Sequence, residues 1–144
     1  MIPLYIIDSS VFNKLYLNES GRDTVLELFK EASKGNIILI APKLLEYEVI
    51  ATAQYNRLPI NAIWELLKQQ IGCNLNLVDP TTEHWEKALE IIQMGHIKSG
   101  YPSIYDTIFH AIAIIEGGTL ITADKKHFVK VEKLRHIMML NDVE

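Results

Sequence analysis

The chain of 144 residues contains a single cysteine and no apolar run long enough to cross a bilayer. Cys73 therefore cannot form an internal disulfide, and its neighbours do not suggest a redox pair. The most apolar stretch, residues 107–115, is about half the length that a membrane helix needs. The first residues lack the basic segment of a secretory signal, and Asp8 interrupts their apolar run. These absences predict a protein of a reducing compartment, which we expect to be the cytoplasm.

Positive charge is also scarce. The chain has 14 Lys and Arg residues against 18 Asp and Glu residues, a formal net charge of −4. This balance argues against a protein that coats nucleic acid through bulk electrostatics. It does not exclude an enzyme that binds one phosphate locally, because a bound divalent cation can outweigh a mildly negative surface. The length and the 49% hydrophobic content fit one globular domain over residues 1–144.

Short β-branched runs alternate with longer segments of helical period. Strands are predicted at residues 4–7, 37–40, 75–78 and 119–122, with a weaker fifth at 137–140. Helices are predicted at residues 10–16, 22–33, 43–55, 60–70, 82–94 and 103–116. Because strands separated by helices need crossover connections, we expect a single α/β domain with a central, mostly parallel sheet of four to five strands flanked by helices. In such sheets, ligand sites form beyond the carboxyl ends of the strands.

Two aspartates follow predicted strands directly. Asp8 comes after the first strand and Asp124 after the fourth, and each precedes a helical turn. Either residue alone is explained equally well as a helix N-cap. Two of them at the same edge of one sheet favour a polar site. Ser9 or Ser10 is then expected to cap the first helix, which leaves Asp8 to face the other acids.

Two further acids lie on apolar helix faces. Glu48 projects between Leu44 and Leu45, whereas Glu46 projects to the opposite side and is expected to be solvated. A frayed helix start is the alternative for Glu48, since glutamate is rarely buried without a partner. Asp106 lies in a helix that is apolar nearly all round, with no Lys or Arg from residue 99 to residue 118. Its partner must therefore be a distant basic side chain or a cation.

The histidines do not have the spacing of a zinc site. His110 lies one helical turn from Asp106 and is interpreted as a core histidine. The others, His84, His96, His127 and His136, are scattered. Four carboxylates without cysteine or paired histidine ligands are typical of a hard-cation site for Mg²⁺ or Mn²⁺. Such an ion activates water and neutralises charge on a phosphodiester during its cleavage.

Four motifs occur in a recognisable order. They are Asp8-Ser9-Ser10 after the first strand, Glu48 in a helix opened by Pro42, Tyr105-Asp106 in the long apolar helix, and Thr122-Ala123-Asp124 after the fourth strand. In length and motif order the whole chain resembles the PIN-domain family, and within it the VapC-type toxins of toxin–antitoxin pairs. The commoner opening is Asp-Thr-Ser, and Asp8-Ser9-Ser10 keeps its hydroxyl groups.

The resemblance implies a metal-dependent endoribonuclease, usually a homodimer, which cleaves RNA until a small antitoxin occupies its cleft. It implies that Asp8, Asp106 and Asp124 bind the metal ion. Glu48 completes the acidic pocket and helps to hold metal or water. Ser10 and Thr122 match hydroxyl positions that orient the carboxylates. The lysines that might engage RNA cannot be matched, and a solvated surface position is favoured for Lys14, Lys43, Lys125 and Lys126.

Three alternatives remain open. A PIN nuclease of RNA maturation or turnover, without an antitoxin, would carry the same residues. A non-catalytic PIN-like module would use the acidic pocket to dock a basic peptide, although losing one acid would already disable metal binding. A phosphatase of the haloacid-dehalogenase type also begins with a strand that ends in Asp. It needs a second Asp two positions later, where this chain has Ser10.

Overall fold

A computed structural model describes residues 1–95 and 100–143, so His96 lies outside the described residues. Within these ranges, five strands form one parallel sheet in the order β3-β2-β1-β4-β5. The strands are β1 (Leu4–Ile7), β2 (Ile38–Pro42), β3 (Leu75–Val78), β4 (Thr119–Thr122) and β5 (Ile137–Met139). The predicted α/β architecture with a parallel central sheet is confirmed, and the sheet has the higher of the two expected strand numbers.

Seven α-helices lie in the described part of the chain. They are α1 (Ser9–Phe12), α2 (Arg22–Ser33), α3 (Leu44–Tyr55), α4 (Ile60–Gln70), α5 (Thr82–Ile92), α6 (Ile104–Glu116) and α7 (Lys125–Val131). The prediction of one helix over residues 10–16 is wrong, because α1 gives way to a 3₁₀ turn at Asn13–Leu15. Helix α7 was not predicted as a helix, and α5 ends two residues before its predicted end. None of these helices is long and apolar enough to cross a bilayer.

The core lies on both sides of the sheet. The central strands contribute fully buried side chains such as Ile6, Ile7 and Ile121. Helix α6 is buried continuously from Thr107 to Ala113, which confirms that its all-round apolar pattern reflects burial. A Cβ atom on Gly118 would lie 2.7 Å from the carbonyl oxygen of Leu4, so β4 can approach β1 this closely only with glycine at that position.

The register of β1 and β4 fixes the position of the first predicted site residue. Ile7 pairs with Ile121 in the parallel ladder, so the residues that follow, Asp8 and Thr122, stand side by side at the carboxyl edge of the sheet. Because β1 is the central strand, this edge is flanked by β2 on one side and by β4 and β5 on the other. The sheet order therefore places the chain turns after β1 and β4 next to each other.

Candidate active site

Three of the four predicted acids lie at the beginning of a helix. Asp8 is itself the N-cap of α1, and its Oδ1 accepts a hydrogen bond from the backbone N–H of Val11 at 3.2 Å. Asp124 caps α7 in the same way, accepting from the backbone N–H of His127 at 3.2 Å. Asp106 is the third residue of α6, where Ser103 is the cap. The expectation that Ser9 or Ser10 would cap the first helix is wrong, because the Asp8 carboxylate reaches Val11 first.

Two hydroxyl groups hold the Asp8 carboxylate. Ser10 Oγ donates to Asp8 Oδ1 and Thr122 Oγ1 donates to Asp8 Oδ2, each at 2.5 Å. The same hydroxyls accept backbone N–H groups of the turn after β4, from Ala123 at 2.9 Å and from Asp124 at 3.1 Å. The side chain after β1 and the turn after β4 therefore form one hydrogen-bonded unit.

Asp8, Glu48 and Asp106 lie close enough for their charges to interact, and we call the space that they share the acidic cleft. Burial raises the pKa of Asp8 to about 6, against the opposing effect of its hydrogen bonds from Ser10, Thr122 and Val11, and the charge of Asp106 raises it further. Burial likewise raises the pKa of Glu48 to about 7, opposed by a hydrogen bond with Ser9 and reinforced by the charges of Asp8 and Asp106. The charge of Asp106 thus acts on both Asp8 and Glu48, and the charge of Asp8 acts on Glu48.

The fourth acid, Asp124, is linked to the acidic cleft by His127, because the charges of both Asp124 and Asp106 act on this histidine. The His127 side chain is buried, with 3% of its surface exposed, and burial lowers its pKa, whereas the nearby charges of Asp106 and Asp124 raise it. Neither of its ring nitrogens has a hydrogen-bond partner among the described residues. Sequence reasoning missed this residue, although its position three residues after a helix-capping Asp was a usable signal.

His110 is a core residue, as the sequence predicts. Its ring lies edge-on to that of His127, with centroids 6.3 Å apart, and its Nε2 donates to the carbonyl oxygen of Arg135 at 2.7 Å. Burial lowers the pKa of His110 to about 4, so the ring is neutral at physiological pH. It makes no hydrogen bond to Asp106 in the described structure.

No basic side chain neutralises the four acids in the described ranges, because none of the ion pairs found there includes any of them. In the same ranges, no three side chains of His, Cys, Asp or Glu come close enough to enclose a metal ion. The donors at the cleft are carboxylate and hydroxyl oxygens, which suit Mg²⁺ or Mn²⁺. Because Mg²⁺ usually binds through one or two carboxylates and keeps several water ligands, this open arrangement fits a hydrated ion.

Replacing Thr122 with valine tests the support of Asp8. The side chain is fully buried, and valine keeps its shape while removing the donor to Asp8 and the acceptor for Asp124. We expect the pKa of Asp8 to rise further and the free energy of unfolding at neutral pH to fall by about 1–3 kcal/mol. Side-chain carboxyl NMR titration and urea denaturation measure the two effects. An unchanged Asp8 pKa in a folded T122V protein would contradict the assigned hydrogen bond.

The protein-family comparison gives one match. The model described as "PIN domain" matches residues 5–134. A search of curated proteins found no match.

Solved structures with this fold include toxin–antitoxin proteins. VapBC2 from Rickettsia felis, bound to a DNA fragment from its promoter, has a TM-score of 0.69 and 14% identity over 94% of this chain and 96% of that chain. VapC20 of Mycobacterium tuberculosis, described as a sarcin-ricin loop cleaving toxin, has a TM-score of 0.64 and 14% identity over 87% and 93%. VapBC-1 from nontypeable Haemophilus influenzae has a TM-score of 0.64 and 18% identity over 96% and 99%. At these identities the similarity shows the fold alone.

Proposed function

The chain belongs to the PIN domain family, and we propose that it is an endoribonuclease that depends on Mg²⁺ or Mn²⁺. The observation that carries this proposal is the cleft of Asp8, Glu48 and Asp106, in which burial and mutual repulsion raise the pKa of Asp8 to about 6 and that of Glu48 to about 7. Groups with strongly shifted pKa values, gathered at the carboxyl edge of a parallel sheet, are typical of a functional site.

In the proposed mechanism the acids hold the ion and the attacking water. Asp8, Asp106 and Asp124 would hold the hydrated ion, one or two of them directly and the rest through its water ligands. The hydrogen bonds from Ser10 and Thr122 fix the orientation of Asp8. A bound divalent cation would supply charge that neutralises the phosphodiester and lowers the pKa of water. Glu48 would orient water and accept its proton, a role that its raised pKa of about 7 supports, since a carboxylate with a pKa near neutral is an effective general base.

The acids alone would repel RNA. Four carboxylates without a basic partner in the described ranges produce a negative potential at the cleft, which opposes a phosphodiester. RNA binding at this edge therefore depends on the cation in the proposed mechanism. The direct experiment incubates the purified protein with single-stranded RNA and MgCl₂. We expect cleavage that stops with a chelator and resumes with excess Mg²⁺ or Mn²⁺, and cleavage that persists in chelator would contradict the proposed metal dependence.

We further propose that the nuclease is a toxin of the cytoplasm, controlled by a small antitoxin. The similarity to VapBC and VapC structures supports this role, and an acidic cleft is complementary to a basic segment of an antitoxin. We expect induced expression to arrest growth, an Asp106→Asn variant to be harmless, and a small protein encoded beside the gene to relieve the arrest. Normal growth at high levels of an active enzyme would favour the alternative role in RNA maturation or turnover.

The proposal includes a homodimer. Exposed apolar side chains on α5 and at the start of α6 support it, since Trp85, Leu89 and Tyr105 retain 46%, 44% and 61% of their surface. Trp85 and Tyr105 also line a groove of about 350 Å³. Sedimentation equilibrium is expected to give twice the chain mass of 16.5 kDa, and a monomer at all concentrations would contradict the dimer.

A further inference from the structure

A small polar cavity lies beside the acidic cleft, beyond the carboxyl ends of β4 and β5. Its volume is about 90 Å³, and it is lined by Lys14, Ser20, Ala123, Met139, Leu140 and Asn141. At about 30 Å³ per water molecule, it has room for about three waters, which is the scale of a phosphate group. Lys14, Ser20 and Asn141 carry hydrogen-bond donors, and no carboxylate lines the cavity.

Lys14 differs from the other lysines near this edge of the sheet. Its side chain is 11% exposed, whereas that of Lys43 is 56% exposed and ion-pairs with Asp79 at 3.3 Å. The aliphatic part of Lys14 packs near Gly21, since a Cβ atom at that glycine would lie 3.5 Å from the lysine Cδ. The ammonium group is therefore held near the cavity and does not extend freely into solvent. The expectation that Lys14 is a solvated surface lysine is wrong.

The ion pair between Lys14 and Glu19 is weak. The Lys14 Nζ lies 3.5 Å from Glu19 Oε1, and the Glu19 side chain is 49% exposed. At this distance, and with Glu19 half exposed, the ion pair is weak. An anion with several acceptor oxygens, such as a phosphate, can therefore displace Glu19 at little cost and gain charge-assisted hydrogen bonds.

The cavity is connected to the acidic cleft through one residue. Ala123 lines the cavity, and its backbone N–H donates to Ser10 Oγ at 2.9 Å. Ser10 Oγ in turn donates to Asp8 Oδ1, and Ala123 is followed by Asp124. The cavity that Lys14 lines and the Asp8 carboxylate are thus joined by two hydrogen bonds through Ala123 and Ser10. This is the place where a nuclease with an acidic centre needs positive charge.

We propose that the cavity binds a phosphate group of the RNA backbone next to the one that is cleaved, with Lys14 as the charged contact and Ser20 and Asn141 as hydrogen-bond donors. This subsite rests on the proposed ribonuclease function. It gives the substrate a fixed register across the acidic cleft, because the neighbouring phosphate is anchored while the scissile phosphate faces the carboxylates. In the free enzyme, Glu19 pairs with the Lys14 ammonium group, and the bound phosphate replaces Glu19 as its partner.

Two variants with opposite expected effects test the subsite. Lys14→Met keeps the aliphatic packing and removes the charge, so KM for single-stranded RNA should rise about tenfold with kcat nearly unchanged, and the salt dependence of log KM should weaken by about 0.7. Glu19→Gln frees the ammonium group, so KM should fall. The control is Lys34→Met, an exposed lysine paired with Glu31, which should leave KM unchanged. If Lys14 only stabilised the fold through Glu19, both variants would be impaired.

A second measurement does not depend on cleavage. Inorganic phosphate, added without divalent metal, should produce saturable shifts of the backbone amide NMR signals of Ser20, Ala123 and Asn141. These shifts should be lost in Lys14→Met and should saturate at lower phosphate in Glu19→Gln. Equal shifts in the wild type and in Lys14→Met, or none in either, would overturn the subsite while leaving the ribonuclease function standing. Failure of the wild type to cleave RNA, with phosphate bound as expected, would overturn only the function.

Discussion

Replacing Asp8 with asparagine is expected to reduce RNA cleavage at least about 100-fold while leaving the protein folded. The charge of Asp8 is required in the proposed mechanism, and loss of one group that stabilises the transition state typically costs this factor or more. The helix cap needs only one acceptor at this position, because Asp8 Oδ1 caps α1 by accepting from Val11. The hydrogen bond that Thr122 donates to Asp8 Oδ2 is lost in the variant. Asparagine offers the same oxygen and is a good N-cap.

The variant should have a stability close to that of the wild type in metal-free buffer at neutral pH, because loss of the hydrogen bond from Thr122 opposes the gain from removing the buried charge. Burial and the charge of Asp106 disfavour the ionised form of Asp8 and raise its pKa to about 6. Asparagine is uncharged, so the variant avoids the cost of burying the Asp8 charge. Cleavage rates and urea denaturation of the same preparations test both statements. The matched control is Asp79→Asn, an acid at the same edge of the sheet whose side chain is 76% exposed and pairs with Lys43. Undiminished cleavage by folded Asp8→Asn protein would refute the assigned role.

Stabilisation by Mg²⁺ is expected to be strongly pH dependent. Asp8 has a pKa of about 6 and Glu48 of about 7, so both are largely protonated in the metal-free protein at pH 5 and ionised at pH 8. A cation must displace these protons, so its apparent affinity should fall on the order of a thousandfold between pH 8 and pH 5. Thermal unfolding with and without Mg²⁺ at the two pH values measures this, and an equal shift at both would contradict it.

The shift in unfolding temperature on adding Mg²⁺ is more informative than the pH dependence of stability in the metal-free protein alone. Because the folded-state pKa values of Asp8 and Glu48 are raised, their contribution to stability is present below pH 4 and is lost as the pH rises to about 6 and 7. His110 acts in the opposite sense, since its folded pKa of about 4 makes its contribution grow from pH 4 to pH 6.5. These contributions offset each other in the metal-free protein. Only that of His110 cancels when protein with and without Mg²⁺ is compared at one pH, because the cation would displace protons from Asp8 and Glu48 and not from His110. An Asp8→Asn, Glu48→Gln double variant should show little Mg²⁺ stabilisation at either pH.

The sequence predicts the sheet well because its strands are short β-branched runs bounded by turn residues. All five strands lie where they were expected, with shifts of one or two residues at the ends of β2 and β5. The failures are short helical segments. Helix α7 begins with Lys125 and Lys126 and spans only seven residues, so it has too few apolar positions for a periodic signal.

The candidate site was predictable in part. The sequence indicated four acids near one edge, and the structure brings Asp8, Glu48 and Asp106 into one cleft. The depth of burial that raises the pKa values of Asp8 and Glu48 depends on long-range packing, which no local pattern encodes. The proximity of His127 to Asp106, which lies on a different helix, is likewise tertiary information. Metal binding and the catalytic roles stay predictions.

The capping roles of Asp8 and Asp124 make this scaffold easy to inactivate by mutation. A single substitution to asparagine or serine at either position would keep an acceptor for the helix N–H groups while removing the charge. At Asp124 such a substitution would cost little stability, whereas at Asp8 it would also remove the acceptor of the hydrogen bond from Thr122. The path from the proposed nuclease to a pure binding module is one substitution long. As helix caps, carboxylate and amide side chains are nearly equivalent at these two positions. In the proposed mechanism, it is the reaction that requires a carboxylate at both of them.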